Sequence, residues 1–568
     1  MTQNIHRTTG LRDDFYWLTE NSRLFLSRGY LSEGQEPEER LREISDEAER
    51  ILGIKGFSDK FYDYLSKGYY SLSTPVWTNF GNSRGLPISC FGSHLSDNMG
   101  NILHTAGEVG MMSKYGGGTS GYFGDLRGRG AEITNNGTSS GSVHFMKLFE
   151  QVTDTVSQGS SRRGRFSPYL PIDHPDIEEF LEIGKEGNEI QNMNHAVTVT
   201  DSWMIQMIGG DRDKRAIWAK VLQSRVEMGY PYIFFTDTVN RNKPEWYKDT
   251  PINHSNLCSE IALPNNDRWS FVCNLSSMNA LHFDEWKDTD AVETMTFFLD
   301  AVMTEFLTKL EKLRDSDNSE QKEAFRFMER AYNFAKENRA LGIGVLGWHS
   351  LLQSKMLPFA STESSLLNEQ IFKTIQERSQ SASEELANLY GEPDFLKGTG
   401  RRNSTTMAVA PTTSSAFIIG QVSQSIEPLW SNNYVKDVAK AKVTVQNEYL
   451  RDVLKKYNKD NRETWIDIRN HDGSVQHLDF LTDLEREVFK TFSEINQYEI
   501  INQASVRQKY IDQGQSLNIM VNPTTSTKEL NELHLYAWEN EIKTLYYQHT
   551  TSAAQEFYRS TVCLACEA

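Results

Sequence analysis

Apolar residues follow two spacings along this chain, and each spacing predicts a different element. Near the N-terminus, LREISDEAERIL and FYDYLSKGYY repeat apolar residues at helical spacing, with Gly53 and Gly56 at the break between them. Further helical patterns cover roughly residues 97–115, 142–158, 290–340, 362–390 and 436–512. Short apolar runs predict strands, notably LPISC, WSFVCNLSS, LGIGVL, TMAVA, SLNIMV and IKTLYY. This alternation predicts an α/β fold whose strand ends carry function.

The segment HSNLCSEIALP combines reactive side chains with an apolar run. If it is a strand, Asn256, Cys258 and Glu260 lie on one face, because successive side chains alternate. That face would present an amide, a thiol and a carboxylate. Taken alone, the segment is better explained by a small buried cysteine beside a solvated glutamate. The choice therefore depends on where the other cysteines lie.

The composition is that of an ordinary globular protein. With 568 residues, the chain has room for two or three domains or for one large, elaborated barrel. A formal net charge of -18 argues against a general nucleic-acid or anionic-membrane surface. The N-terminal segment lacks the apolar core of a signal peptide, and no apolar stretch is long enough to span a bilayer. We therefore expect a cytoplasmic protein.

Five cysteines are too few for a disulfide framework in a chain of this length, so they favour catalytic, redox or metal-binding roles. Cys90 and Cys273 end two predicted strands, and Cys563 and Cys566 form a C-x-x-C pair near the C-terminus. Tetrahedral zinc needs two further ligands, and no other pair has matching spacing. A dithiol on a mobile tail is the preferred interpretation.

The cysteines suggest a common reaction if they meet at one cavity. A thiol pair supplies two electrons when it becomes a disulfide, so Cys90 and Cys273 near Cys258 would indicate a reductase. The pair must be reduced again after each turnover, and Cys563 with Cys566 could do so by thiol–disulfide exchange. This scheme gives every cysteine a role.

Two polar clusters indicate anion binding. The hydroxyl residues after Pro411 predict a helix N-terminus, where free N–H groups favour phosphate. The loop GSSRRGRF carries three arginines, which suit either anion contact or a solvated loop. The glycine-dense run YGGGTSGYFGDLRGRG matches neither a phosphate-binding loop nor a dinucleotide fingerprint.

Together, NLCSEIALP, SC at 89–90, FVCNLSS, APTTSSAF followed by SQSIEP, TLYYQHT and the terminal Cys pair resemble the large subunit of class I ribonucleotide reductase. The resemblance implies a ten-stranded α/β barrel over residues 71–548, with the Cys258 segment on a loop through its centre. Residues 1–70 would be a helical region without the ATP-binding cone of many relatives, so inhibition by dATP through this chain is not expected. Residues 549–568 would be a flexible redox tail.

The resemblance also implies roles for individual residues. Cys258 would be the thiyl radical that abstracts the 3′-hydrogen of a ribonucleoside diphosphate, and Glu260 would take the 3′-hydroxyl proton. Asn256 would hydrogen-bond the substrate. Cys90 and Cys273 would become a disulfide, which the tail cysteines reduce before thioredoxin or glutaredoxin recharges them.

Tyr546 and Tyr547 would relay the radical from a separate small subunit that holds a dimetal cofactor. The resemblance implies no tightly bound metal in this chain and Mg²⁺ only with the nucleotides. A homodimer would form through the helices near 97–115 and 142–158. The alternatives are a cobalamin-dependent reductase of the same fold and a catalytically silent nucleotide-binding regulator.

Two nucleotide sites follow from the same resemblance. The substrate phosphates would contact Ser73, Thr74, Ser89, Thr412, Thr413, Ser414 and Ser415. The specificity site for a deoxynucleoside triphosphate or ATP would use Asp97, Arg127, Arg162 and Arg163.

Overall fold

The computed structural model describes residues 14–83, 85–158, 162–438 and 441–550. Its strands are β1 (Tyr70–Leu72), β2 (Cys90–His94), β3 (Gly118–Tyr122), β4 (Ser157–Gln158), β5 (Arg162–Arg163), β6 (Arg165–Pro171), β7 (Ala196–Val199), β8 (Tyr232–Phe235), β9 (Phe271–Asn279), β10 (Leu341–Leu346), β11 (Asn433–Val438), β12 (Ala441–Gln446), β13 (Ile519–Val521), β14 (Thr544–Leu545) and β15 (Gln548–Thr550).

Its α-helices are α1 (Glu20–Leu26), α2 (Pro37–Leu52), α3 (Phe57–Ser66), α4 (Thr74–Asn79), α5 (Met99–Lys114), α6 (Ser142–Thr155), α7 (Ile177–Phe180), α8 (Asp201–Ile208), α9 (Arg212–Met228), α10 (Thr236–Arg241), α11 (Phe283–Trp286), α12 (Ala291–Arg314), α13 (Ser319–Asn338), α14 (Trp348–Ser354), α15 (Thr362–Tyr390), α16 (Thr413–Ile418), α17 (Glu448–Lys456), α18 (Arg462–Asn470), α19 (Asp483–Val488), α20 (Gln497–Gln508) and α21 (Thr527–Glu539). Short 3₁₀ turns occur at Glu245–Tyr247, Ala280–His282, Asp394–Leu396 and Phe492–Glu494. No helix in the described ranges is both long and apolar enough to cross a membrane.

Two sets of parallel strands form a curled sheet. The first set runs β2, β3, β6, β7 and β8, each parallel to the next. The second set begins with β9 and β10, which are also parallel. The sets meet in antiparallel fashion at two seams, where β2 pairs with β9 and β14 pairs with β8.

Extended segments complete the ring between β10 and β14. The amide of Ile343 donates to the carbonyl of Thr406 (2.8 Å), and the amide of Val409 donates to Gly514 (3.0 Å). The amide of Tyr546 then donates to Leu517 (2.9 Å). The first half-barrel has five strands. The second half-barrel also has five segments, namely β9, β10, residues 405–409, residues 513–517 and β14. The ten-stranded barrel implied by the family resemblance is therefore confirmed, although the predicted strand before Pro411 forms only isolated bridges.

The strands are buried along their length, as expected for parallel sheets covered by helices on the outside. All four residues of β8 and all six of β10 are buried. Gly342 in β10 allows a close approach, because a Cβ atom there would lie 3.1 Å from the Sγ atom of Cys273. A larger residue at this position would therefore crowd the thiol of Cys273.

The N-terminal region is helical, as predicted, and is fixed to the start of the barrel. Gly53 adopts φ = 67° and ends α2, which explains the break in the apolar pattern. The buried guanidinium of Arg40 in α2 donates to the carbonyl oxygens of Trp77 (2.8 Å) and Phe80 (2.5 Å). The helices therefore pack against the segment that leads into β2.

Residues 433–446 correct one prediction. We expected helices from about residue 436, but β11 and β12 form an antiparallel hairpin there. The segment AKVTVQ alternates apolar and polar residues, a period of two that favours a strand over a helix, whereas NYVKDV carries no such alternation. The helices begin only with α17, and α17 to α19 enclose a second, smaller hydrophobic core.

A buried ion-pair network holds the second half-barrel to its helices. Asp300 in α12 accepts hydrogen bonds from Arg339 (2.8 Å) and Arg402 (2.9 Å). Burial acts to raise the pKa of Asp300, but the charges of the two arginines outweigh it and lower that pKa to about 2. The network joins α12 to the chain on either side of β10.

We predict that Arg339→Met lowers the free energy of unfolding by about 3 kcal/mol, because it leaves part of a buried charge uncompensated. Thermal or urea unfolding measures the change. Arg326 is the matched control, since its ion pair with Glu323 is exposed and its replacement should cost less than about 1 kcal/mol. Equal losses in the two variants would contradict a stabilising role for the network.

Candidate active site at the centre of the barrel

The segment Asn256–Glu260 is a loop, so the strand interpretation of this segment is wrong. Residues 251–270 contain no strand, and Ser259 has φ = 70°, a left-handed conformation that breaks the alternation. Without a neighbouring strand, the loop depends on other partners for its backbone groups. This result agrees with the central loop implied by the family resemblance.

Side chains and backbone from several walls of the barrel hold this loop. The hydroxyl of Tyr169 in β6 donates to the carbonyl of Asn256 (2.7 Å), and Thr544 in β14 donates to the carbonyl of Ser259 (2.9 Å). The amide of Gly514 donates to the carbonyl of Glu260 (2.8 Å). Because these partners belong to both half-barrels, the loop lies inside the ring.

Glu260 is a buried carboxyl group, 1% exposed. Burial raises its pKa to about 7, and polar contacts only partly offset that effect. One of these contacts is the hydroxyl of Ser516, 3.1 Å from Oε2. A carboxyl group with this pKa exchanges a proton near neutral pH, as a general base must.

Asn256 and Cys258 flank the carboxyl group on the same loop. Oδ1 of Asn256 accepts from the amide of Ile261 (3.2 Å), whereas its buried Nδ2 has no hydrogen-bond partner in the part of the chain described. The carbonyl of Cys258 accepts from Ser516 (2.5 Å). The loop thus has one amide donor available for a ligand next to a thiol.

Cys90 and Cys273 are direct partners across the first seam, between β2 and β9. Opposite residues of an antiparallel pair have Cα atoms about 4.5–5.5 Å apart, within the range of a disulfide. Neither cysteine is in a disulfide, and burial raises the pKa of Cys273 well above its usual value. Nε2 of Gln513 lies 3.3 Å from Sγ of Cys273. This geometry permits a dithiol to become a disulfide.

Tyr546 and Tyr547 follow β14 at the second seam. Their ring centroids are 4.3 Å apart, and Tyr232 of β8 lies 4.6 Å from Tyr546. Nδ2 of Asn194 donates to the hydroxyls of Tyr547 (3.1 Å) and Tyr232 (2.9 Å). Asn194 and Tyr232 were not predicted, because β8 and the segment before β7 reach the tyrosine pair only in the folded barrel.

A cavity of about 380 Å³ connects the tyrosines to the predicted phosphate site, since Thr413, Tyr546 and Tyr547 all line it. Glu427 also lines it and is buried, and burial raises its pKa to about 7. Its carboxylate accepts from Nδ2 of Asn518. Glu427 belongs to the SQSIEP motif but was not among the predicted site residues.

The predicted phosphate residues occupy three segments. Thr412 caps α16 with φ = 57°, and Thr413 is the first residue of that helix. The hydroxyl of Ser71 donates to the carbonyl of Ser415 (3.0 Å) and brings Ser73 and Thr74 near α16. Ser414 is buried within α16, and Ser89 immediately precedes Cys90.

The ribonucleotide reductase barrel-domain model matches residues 88–214, 210–396 and 394–548. The chain belongs to the ribonucleotide reductase large-subunit family. The large subunit of ribonucleoside-diphosphate reductase from Invertebrate iridescent virus 3 is 31% identical over 602 residues, which cover 90% of this chain and 92% of that protein. The Danio rerio large subunit is 30% identical over 571 residues, covering 87% and 70%.

A solved structure supports the same assignment. The class Id ribonucleotide reductase alpha subunit of Actinobacillus ureae is 52% identical, with a TM-score of 0.89, and the match covers 96% of this chain and 99% of that one. The family resemblance inferred from the motifs is confirmed, and the chain is an oxidoreductase.

The predicted effector residues and tail cysteines remain to be located. Nε of Arg127 lies 2.6 Å from Asp97, just before α5, so this predicted effector pair is in contact. Arg162 and Arg163 form β5, which pairs with β4, but their side chains lie outside the description. Cys563 and Cys566 also lie outside the described residues.

We predict that Glu260→Gln changes the pH dependence of stability. The raised pKa of Glu260 means that its contribution is fully present below pH 4 and is lost as pH rises through about 7. Relative to the parent, the variant should therefore gain about 2 to 3 kcal/mol between pH 5 and pH 8. Thermal unfolding at the two pH values measures this gain.

Glu329→Gln provides the control, because Glu329 is exposed on α13. It should show no comparable gain between the two pH values. A Glu260→Gln variant whose stability follows the parent at both pH values would show that the carboxyl group ionises normally.

Proposed function

We propose that this large subunit reduces ribonucleoside diphosphates to 2′-deoxyribonucleoside diphosphates by thiyl-radical chemistry on Cys258. The observation that carries the proposal is the placement of a thiol, a carboxyl group and an amide on one loop inside a barrel whose wall holds a pair of cross-strand cysteines. The names of the relatives supply the diphosphate substrate.

The reaction needs a radical because the 3′ carbon–hydrogen bond is too weakly acidic for a carboxylate alone. The Cys258 thiyl takes the 3′-hydrogen, and Glu260 takes the proton of the 3′-hydroxyl. The pKa of Glu260, about 7, suits this transfer. The unpaired Nδ2 of Asn256 is available to hold a substrate oxygen.

Reduction then uses the pair at the first seam. The 2′-hydroxyl leaves as water with a proton from one thiol of the pair, and Cys90 and Cys273 together give up two electrons as they form a disulfide. Cys258 finally returns hydrogen to the 3′ carbon and becomes a thiyl again. One ribonucleotide and two thiols thus yield one deoxyribonucleotide, one disulfide and one water.

A partner subunit supplies the radical in this proposal, and its dimetal cofactor lies outside this chain. The contact between Tyr546 and Tyr547 supports a relay that ends at Cys258, since the three side chains belong to one packed cluster. The cavity beside them opens toward α16, whose N-terminus with Ser73, Thr74 and Ser89 suits the Mg²⁺-bound diphosphate.

Effector control and dimerisation complete the proposal. The Asp97–Arg127 pair offers a carboxylate for a ribose hydroxyl and a guanidinium for phosphate, with Arg162 and Arg163 as further candidates. Met99 and Leu103 are more than half exposed on α5, which supports a homodimer contact along that helix. Effector binding and dimerisation would then be coupled.

We predict that CDP reduction requires both Cys258 and a small subunit. With dithiothreitol as reductant, Cys258→Ala and Tyr547→Phe should each lose at least about a thousandfold in turnover, because each removes a group that the radical must occupy. Tyr498→Phe is the control, since Tyr498 forms a comparable aromatic pair with Tyr536 away from the site. Turnover that survives Cys258→Ala would exclude the radical mechanism, and turnover with adenosylcobalamin alone would favour a cobalamin-dependent enzyme.

The tail cysteines give a separate prediction. Cys563→Ser and Cys566→Ser should abolish turnover driven by thioredoxin or glutaredoxin but retain turnover with dithiothreitol. A small dithiol reaches the buried pair directly, whereas a protein carrier needs the tail as intermediary. Parallel assays with both reductants measure this separation, and undiminished thioredoxin-driven turnover in the variants would refute the tail's role.

A further inference from the structure

Three metal-ligating side chains converge outside the barrel, in the region of the second core. Asp467 lies in the last turn of α18, His471 follows the end of that helix, and His477 lies beyond the next turn. One ligand atom from each residue lies within 4.8 Å of the others. The proposed reductase mechanism uses none of these side chains.

The distances between the ligand atoms match a small coordination sphere. Nδ1 of His471 lies 3.3 Å from Oδ1 of Asp467, and Nε2 of His477 lies 3.1 Å from Oδ2. A tetrahedral zinc ion with ligands at 2.0–2.1 Å keeps them about 3.3 Å apart. Each imidazole presents a nitrogen to a different oxygen of the same carboxylate, and the two rings stack with centroids 3.7 Å apart. Because an imidazole binds a metal in its ring plane, one of the stacked rings must turn for both nitrogens to reach one ion.

We propose that Asp467, His471 and His477 bind a divalent transition metal, with zinc as the best chemical match. Two imidazoles and a carboxylate are ligands that Zn²⁺ accepts, whereas Mg²⁺ and Ca²⁺ prefer oxygen ligands. Asp467 and His471 are about half exposed, which leaves room for water at a fourth position. The family resemblance implied no tightly bound metal in this chain, so this site departs from that expectation.

Two features limit the affinity. Nδ1 of His471 also lies 2.9 Å from the carbonyl oxygen of Asp467, so metal binding must replace this hydrogen bond. Nδ1 of His477 is buried without a hydrogen-bond partner in the described part of the chain. A metal-binding histidine that lacks a hydrogen-bond partner for its other ring nitrogen lowers the affinity for the metal by about 10- to 100-fold. We therefore expect micromolar rather than tighter binding.

The site is connected to the cavity beside Tyr547. The turn between His471 and His477 contains Gly473, whose carbonyl accepts from the amide (3.3 Å) and Nδ2 (2.9 Å) of Asn432. The preceding residues, Trp430 and Ser431, line the cavity. A metal that fixes this turn would also fix that wall.

Zinc titration of the full chain by calorimetry tests the proposal, with bound metal counted by equilibrium dialysis. Because thiolates are also zinc ligands, the site is defined by the difference between variants. His471→Ala and His477→Ala should each bind one zinc ion fewer than the parent. Asp467→Asn should lower the affinity for that zinc ion at least about tenfold. His144→Ala, at an exposed histidine on α6, should lose none.

Cobalt provides a second readout. The cobalt ion that the parent binds and His471→Ala does not should show ligand-field bands. It should lack the intense charge-transfer absorption of cobalt bound to thiolates. The proposal is wrong if the folded variants bind as much zinc as the parent, or if that cobalt ion has a thiolate spectrum. Neither measurement uses turnover, so the result is independent of the reductase function.

Discussion

The fold depends on a polar loop that crosses the inside of a closed barrel. A segment without a strand ladder leaves backbone groups that cost free energy unless something else pairs with them. Tyr169, Thr544 and Ser516 supply those partners from different walls. These wall positions must therefore be polar within an otherwise apolar interior, and the ring must close around the loop to bring them into reach.

Burial of this loop sets the electrostatics of the site. The same exclusion of water that raises the pKa of Glu260 to about 7 also raises that of Cys273. A solvated carboxyl group would be fully ionised at neutral pH and would be a weaker base. The protein accepts a cost in stability at this position, as enzymes commonly do at their active sites.

The two seams between the half-barrels organise the redox groups. Cys90 and Cys273 face each other at the β2–β9 seam, and the tyrosine cluster surrounds the β8–β14 seam. Each seam is antiparallel, so it brings together residues that are distant in sequence. The central loop is held from both half-barrels and lies between the two groups. In the proposed reaction, the radical enters from one seam and the electrons for reduction come from the other.

The sequence by itself determined the long helices and some of the strands, because apolar periodicity is a local signal. The proposed roles of the reactive residues came from motifs that jointly resemble the family. The apolar pattern around Asn256–Glu260 favoured a strand, and only the tertiary structure shows the contacts that make this segment a loop, since its partners come from residues 169, 516 and 544. The same holds for Asn194, Tyr232 and the Asp467 cluster, whose neighbours meet only after folding. Glu260 is a base near neutral pH because the barrel buries it, a fact that no pattern of residues along the chain contains.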